Sequence, residues 1–187
     1  MVEKVTIWSY LEPFLYSQEY LHLAEISKKL NKSHSVVRKY LNFLEKQGVL
    51  NKTIKGRLTL YKINSNHQNI IDYIILAEKE KIIKKCEKNL LLKEFVTFLN
   101  KNLNENNKAL IFGSITRDIK KANDIDLLIT GEIDLEDKEK EFERKFNIKV
   151  HLINVKDLKS ITEHLKIEIM KKHLIVQGSE EIIKWLI

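Results

Sequence analysis

Cysteine, proline and glycine are scarce in this chain of 187 residues, which holds one, one and five of them. A single thiol, Cys86, excludes an internal disulfide, and no Cys/His cluster suggests zinc. No low-complexity linker divides the sequence. No apolar run approaches the roughly 18 residues that a spanning helix needs. The first residues, Met1-Val2-Glu3-Lys4, mix charges and lack the basic-then-apolar layout of a secretory signal. These absences lead to the expectation of a soluble, cytoplasmic protein with no membrane partner.

Apolar side chains make up 43% of the chain, enough for one or two small domains. Charge is distributed unevenly. The net charge is +7, and residues 1–63 hold 11 Lys/Arg against 5 Asp/Glu. Residues 64–106 hold 7 against 6, and residues 107–187 hold 15 of each. A genomic bias toward lysine codons would spread the excess evenly. A basic first third is the electrostatic footprint of a polyanionic partner.

Periodicity divides the chain further. Ile7 to Tyr16 reads as helical, with Pro13 kinking it or ending its first part. Leu21 to Leu30 reads as a short helix with Leu23, Ile26 and Leu30 on one face. A turn follows, and Ser33 or Ser35 is placed to cap the next helix, which runs to about Gln47. Val36, Val37, Tyr40, Leu41 and Leu44 form its expected buried stripe, and Gly48 its terminator. Residues 49–64 favour a hairpin with its tip at Lys55-Gly56. Two amphipathic helices are expected over 68–87 and 90–103. Apolar strand-like runs then occur at Ala109–Phe112, Asp126–Ile129 and Ile148–Val155, with a charged helix from Leu135 to Phe146 between the last two. His173 to Gly178 reads as a strand or loop before a closing helix. Strands alternating with helices imply an α/β or α+β region from about residue 88.

The run Leu23–Leu30, a turn, Ser35–Leu41 and Leu44–Leu50 resembles the winged helix-turn-helix of prokaryotic transcription regulators. That resemblance implies three helices and a β-hairpin wing over residues 1–65, with double-stranded DNA as partner. The second helix of the motif would enter the major groove. Ser33, Ser35, Arg38, Lys39 and Asn42 would then face the bases, and Lys52, Lys55 and Arg57 on the wing would meet phosphates. The competing reading is a protein-interaction module with a solvated basic face.

The second signal is Phe112-Gly113-Ser114-Ile115-Thr116-Arg117 followed by Asn123-Asp124-Ile125-Asp126. It resembles the Gly-Ser and Asp-x-Asp signature of the DNA polymerase β-like nucleotidyltransferases, close to their minimal members. The resemblance implies a mixed-sheet α/β domain over residues 88–187, joined to the winged helix by a helical connector at 66–87. A Gly-Ser corner opening a helix offers backbone N–H groups and a hydroxyl to phosphate oxygens, with Arg117 one turn later. Asp124 and Asp126 alternate along a strand, so they share one face, where they would hold Mg²⁺ and with it an NTP. Active members of the family carry a third carboxylate on a later strand, and that position here is His151. It reads either as a half-exposed strand residue or as a substitute general base, with Asp157 a weaker candidate for the missing acid.

Three functions follow from the combination. One is a DNA-bound enzyme transferring a nucleoside monophosphate from an NTP to an acceptor. Another is a catalytically inactive, nucleotide-sensing regulator or antitoxin-like repressor. The third is a nucleic-acid-processing enzyme whose winged helix holds substrate. Winged helices pair to read palindromes, so a homodimer is expected, and a toxin partner is suggested by analogy with minimal nucleotidyltransferases that serve as antitoxins.

Overall fold

The computed structural model describes residues 6–17, 19–116 and 123–187. Its fold class is α+β, in two compact units, one ending at Glu80 and the other beginning at Lys81.

The first unit opens with a 3-10 helix, Ile7–Phe14, that contains Pro13 and buries Tyr10, Leu11 and Phe14. Strand β1, Leu21–His22, precedes helix α1, Leu23–Leu30, so the expected helix loses its first two residues to a strand. Two residues carry no readable period, and their strand state comes from pairing with a segment some forty residues later. Asn31 ends α1 in the left-handed conformation (φ 50°), which asparagine tolerates better than most residues. Helix α2, His34–Lys46, follows. Ser33 stands at its N-cap position but makes no side-chain capping bond, and its hydroxyl instead lies 3.2 Å from that of Ser35. Gly48 (φ 73°) closes α2: its N–H donates to the Glu45 carbonyl, and the Val49 N–H to that of Leu44. This bond pair satisfies the orphan carbonyls of the last turn. Strands β2, Leu50–Lys55, and β3, Leu58–Ile63, form the hairpin, and β1 adds to β3 to give the antiparallel order β1-β3-β2. This helix, strand, helix, helix and wing sequence is a winged helix. Val37, Leu41 and Leu44 of α2 are wholly buried, whereas Val36 is 40% exposed. Tyr40 is half-buried and stacks on Tyr10 with centroids 4.2 Å apart. The buried stripe is therefore narrower than the apolar pattern implies.

Helix α3, Ile70–Lys88, buries Ile70, Ile74, Ala77 and Ile82, while Ile83 is exposed. Helix α4, Leu90–Asn102, starts at Asn89, whose side-chain oxygen accepts from the Leu92 N–H at 2.7 Å. The sheet of the second unit comprises β4 (Lys108–Phe112), β5 (Asp124–Thr130), β6 (Lys149–Val155) and β7 (His173–Gln177). Their order is β6-β5-β4-β7. β5 and β6 run parallel, joined through α5 (Glu136–Phe146), and the β4–β5 and β4–β7 pairs are antiparallel. One face of this mixed sheet packs Ala109, Ile111, Ile125, Leu127, Ile129, Val150 and Leu174 against Leu92, Phe95 and Leu99 of α4 and Phe142 of α5. The alternating residues Leu110, Leu128 and Ile175 must then point to the other face, and they too are buried. Helix α7, Ser179–Leu186, lies against β4 and β7. Helix α6, Glu163–Lys171, was not foreseen from the sequence. Its start is capped by Thr162, whose hydroxyl accepts from the Leu165 N–H. Trp185 is only half-buried, with the Lys166 ammonium 5.7 Å from its ring. Among the described residues no helix is long and apolar enough to cross a membrane.

Candidate functional site

Asp124 and Asp126 both lie on β5, flanked by Ile125 and Leu127, which are buried in the α4 side of the sheet. Alternation sends the two carboxylates to the opposite face. Strand register extends that face sideways: Asp126 is paired with Phe112 on β4 and His151 on β6, and Phe112 with His173 on β7. The His151 ring stands at the acidic pair, with Nδ1 3.6 Å from Asp124 Oδ2 and 3.5 Å from Asp126 Oδ1. The position where the family resemblance implies a third carboxylate is therefore filled by an imidazole that touches the other two.

The glycine corner converges on the same acids. Gly113 follows β4 directly and has φ +76°. A Cβ there would collide with the Asp126 carboxylate, so only glycine lets corner and acid approach this closely. Ser114 begins a short 3-10 turn, Ser114–Thr116, and is exposed, while Ile115 and Thr116 are buried. The Thr116 hydroxyl donates to the Gly113 carbonyl at 2.8 Å, and the Lys85 ammonium donates to the Thr116 carbonyl at 2.8 Å. Lys85 belongs to α3, and nothing in the sequence linked it to this turn. Arg117 lies outside the described residues.

Burial pushes the pKa of Asp126 up, and the negative charge of Asp124 pushes it further, against a lowering influence of His151. Glu168 of α6 adds to the raising side. It is an acidic neighbour that sequence reasoning missed, because α6 itself was unseen. Asp157 caps a separate 3-10 turn, its carboxylate accepting from the Lys159 N–H at 3.0 Å. His173 is buried, and its Nδ1 lies 2.6 Å from the Ile169 carbonyl. Among the described residues, no group of three or more His, Cys, Asp or Glu side chains is arranged to hold a metal ion. A cavity of about 370 Å³ between α4 and α5 is lined by Phe98, Phe142 and Phe146 and contains none of the acidic-pair residues.

In the first unit, Ser33, Ser35, Arg38, Lys39, Lys52, Lys55 and Arg57 are all exposed. Asn42 is half-buried, its side-chain oxygen accepting from the Tyr61 hydroxyl at 3.1 Å and the Lys52 ammonium at 3.4 Å. It ties α2 to the wing.

Residues 92–177 match the model of the nucleotidyltransferase domain family. Among curated proteins none matches the chain in sequence. Among solved structures it is similar to a chain of the MntA–HpeT toxin–antitoxin complex, at 15% identity and a TM-score of 0.37, over 50% of this chain and 79% of that one. It is also similar to the adhesin competence repressor AdcR of Streptococcus pyogenes, at 21% identity and a TM-score of 0.34, over 54% and 69%. A third similar structure is Lactococcus lactis ZitR in complex with DNA, at 17% identity and a TM-score of 0.32, over 54% and 77%.

Proposed function

We propose that this chain, whose residues 92–177 match the nucleotidyltransferase domain family model, is a DNA-binding protein that takes up a nucleoside triphosphate through the Gly113-Ser114 corner and the Asp124–Asp126 pair. In this reading residues 1–65 bind double-stranded DNA, 66–87 connect, and 88–187 bind the nucleotide. The observation that carries it is the contact between corner and acid, since Gly113 leaves room for the Asp126 carboxylate where any other residue would not. The corner offers backbone N–H groups and the Ser114 hydroxyl to phosphate oxygens, and Arg117 is a further candidate for holding them.

The acid pair fits a hard divalent cation. Two carboxylates share one face, and a cation between them would offset the mutual repulsion by which Asp124 adds to the burial-driven rise of the Asp126 pKa. Asp124 and Asp126 would hold Mg²⁺, which supplies charge neutralisation and draws in the triphosphate. The chain's own residues then orient the nucleotide. Imidazole is a poorer Mg²⁺ ligand than carboxylate, so His151 favours nucleotide binding over turnover, and with it the role of a nucleotide-sensing regulator.

A second reading has its own support. Nδ1 of His151 lies within 3.6 Å of both acids, and if these hold the metal-bound triphosphate of a transferase the imidazole stands beside its reacting centre. There it could accept the proton of an acceptor hydroxyl as that oxygen bonds the α-phosphorus and pyrophosphate leaves. Incubation with an α-labelled NTP, Mg²⁺ and duplex DNA separates the two. Retention of label only as free nucleotide supports the sensor. Covalent label that disappears with Asp124→Ala and with His151→Ala supports the transferase. A toxin partner, by analogy with minimal nucleotidyltransferases that act as antitoxins, would appear as a protein whose label depends on this chain. A homodimer would appear as a two-fold mass by light scattering.

A further inference from the structure

Two apolar residues of α2, Val36 and Phe43, lie off its buried stripe, 40% and 48% exposed. Val36 is the one in the first turn, the end of a recognition helix that contacts base edges. Val37, Leu41 and Leu44 already fill the core side of the helix and are fully buried. A β-branched side chain is also a poorer helix former than most straight-chain residues, so helix propensity does not explain Val36. At about 100° per residue, Ser35, Val36 and Lys39 fall within one exposed arc of the helix, and Ser35 and Lys39 are both exposed. The surroundings are strongly one-signed. Residues 31–63 contain eight Lys/Arg and a single acid, Glu45. A protein partner with an apolar patch would not need that charge, whereas a phosphate backbone on either side of a groove would.

We infer that Val36 reads a thymine, packing its methyl groups on the C5-methyl in the major groove. Thymine is the base that presents a methyl on that edge, and apolar side chains distinguish it there. The inference rests on the DNA-binding reading of the N-terminal unit. It assigns base discrimination to a residue that the apolar pattern alone would place in the core. Ser35, which can donate or accept, discriminates little beside it, and Lys39 supplies backbone affinity.

The test uses the full chain and a duplex selected by it from a randomised library. Each thymine of the selected site is replaced in turn by deoxyuridine, which removes one methyl and leaves base pairing intact. One replacement should weaken wild-type binding about four-fold, the change expected from exposing one buried methyl group. Val36→Ala should bind the original duplex more weakly and no longer distinguish thymine from uracil at that position. Val36→Thr, which keeps a methyl, should retain part of the discrimination. Thermal melts of both variants confirm that the exposed substitution leaves the fold intact. A selected site without a methyl-sensitive thymine overturns the inference while leaving DNA binding in place, and so does equal sensitivity in wild type and Val36→Ala. Failure to retain any duplex overturns the inference together with the DNA-binding reading.

Discussion

The winged-helix unit spreads positive charge over exposed side chains of α2 and the wing. The second unit, with 21 Lys/Arg against 18 Asp/Glu over residues 81–187, carries little net charge, yet it concentrates negative charge at Asp124 and Asp126 on one face of its sheet. Net charge revealed the first and hid the second. A polyanion presents many equivalent charges, so a surface that meets it works by summation, and summation survives in composition. A phosphate-and-cation site works by convergence of a few groups, and convergence is set by register. Asp126, Phe112 and His151 meet because three strands pair at those residues, not because the region is acidic.

Substitutions that break one unit and spare the other sharpen this contrast most. Phe95 is fully buried between α4 and the sheet, so Phe95→Ala should destabilise the second unit by about 3–5 kcal/mol. Nucleotide binding should be lost before DNA retention. Leu41→Ala, at a fully buried position of α2, should cost about 2–5 kcal/mol and reverse that order. Chemical denaturation followed by each binding activity checks both.

Gly113→Ala comes next. A side chain at φ +76° carries backbone strain of about 1–3 kcal/mol, and the methyl also displaces Asp126. Nucleotide affinity should fall at least ten-fold, a drop worth about 1.4 kcal/mol, with DNA affinity unchanged in filter binding. Ser114→Ala, exposed and unstrained, should have a smaller effect on the same measurement.

Alkaline pH should act on the first unit through Tyr16. Burial raises its hydroxyl pKa far above the ordinary value, helped by Glu78, to whose carboxylate it donates at 3.0 Å. The folded-state pKa lies above the unfolded one. The stabilisation is therefore complete below about pH 10 and is lost as pH rises beyond it, at up to about 1.4 kcal/mol per pH unit. Thermal melts between pH 9 and 11 should show this decline, and Tyr16→Phe should remove its share.

The smallest expected effects are on the wing. Lys55→Ala or Arg57→Ala should weaken every duplex about equally and lower the slope of log affinity against log salt by about one. Nucleotide binding should keep its own salt dependence. A sequence-specific loss from either wing change would assign base reading to the hairpin rather than to α2.

Much of this arrangement was legible in the sequence where the signal is local. Gly48 announced the end of α2, and Phe112-Gly113-Ser114 with Asp124-Ile125-Asp126 announced the strand ends that meet. Other features depend on partners distant in the chain and leave no local trace. Strand β1 exists through pairing with β3, and Lys85 reaches the Thr116 carbonyl across thirty-one residues. Val36 and Ile83 fit a helical apolar pattern, yet both are exposed. A stripe drawn from periodicity cannot say how wide the opposing core is. Asn42 has the chemistry of a base reader, and its side-chain oxygen also accepts from the Tyr61 hydroxyl, nineteen residues away in the chain. Helix α6 contributes Glu168 near the acids, and its mixed pattern gave no clear amphipathic period.

The most direct measurement of the central claim is equilibrium binding of a fluorescent NTP, with Mg²⁺ present and absent, to wild type and to Asp124→Ala/Asp126→Ala. The account predicts saturable binding to wild type that requires Mg²⁺ and falls at least ten-fold in the double variant. Equal affinity in the two proteins, or binding indifferent to Mg²⁺, would contradict it.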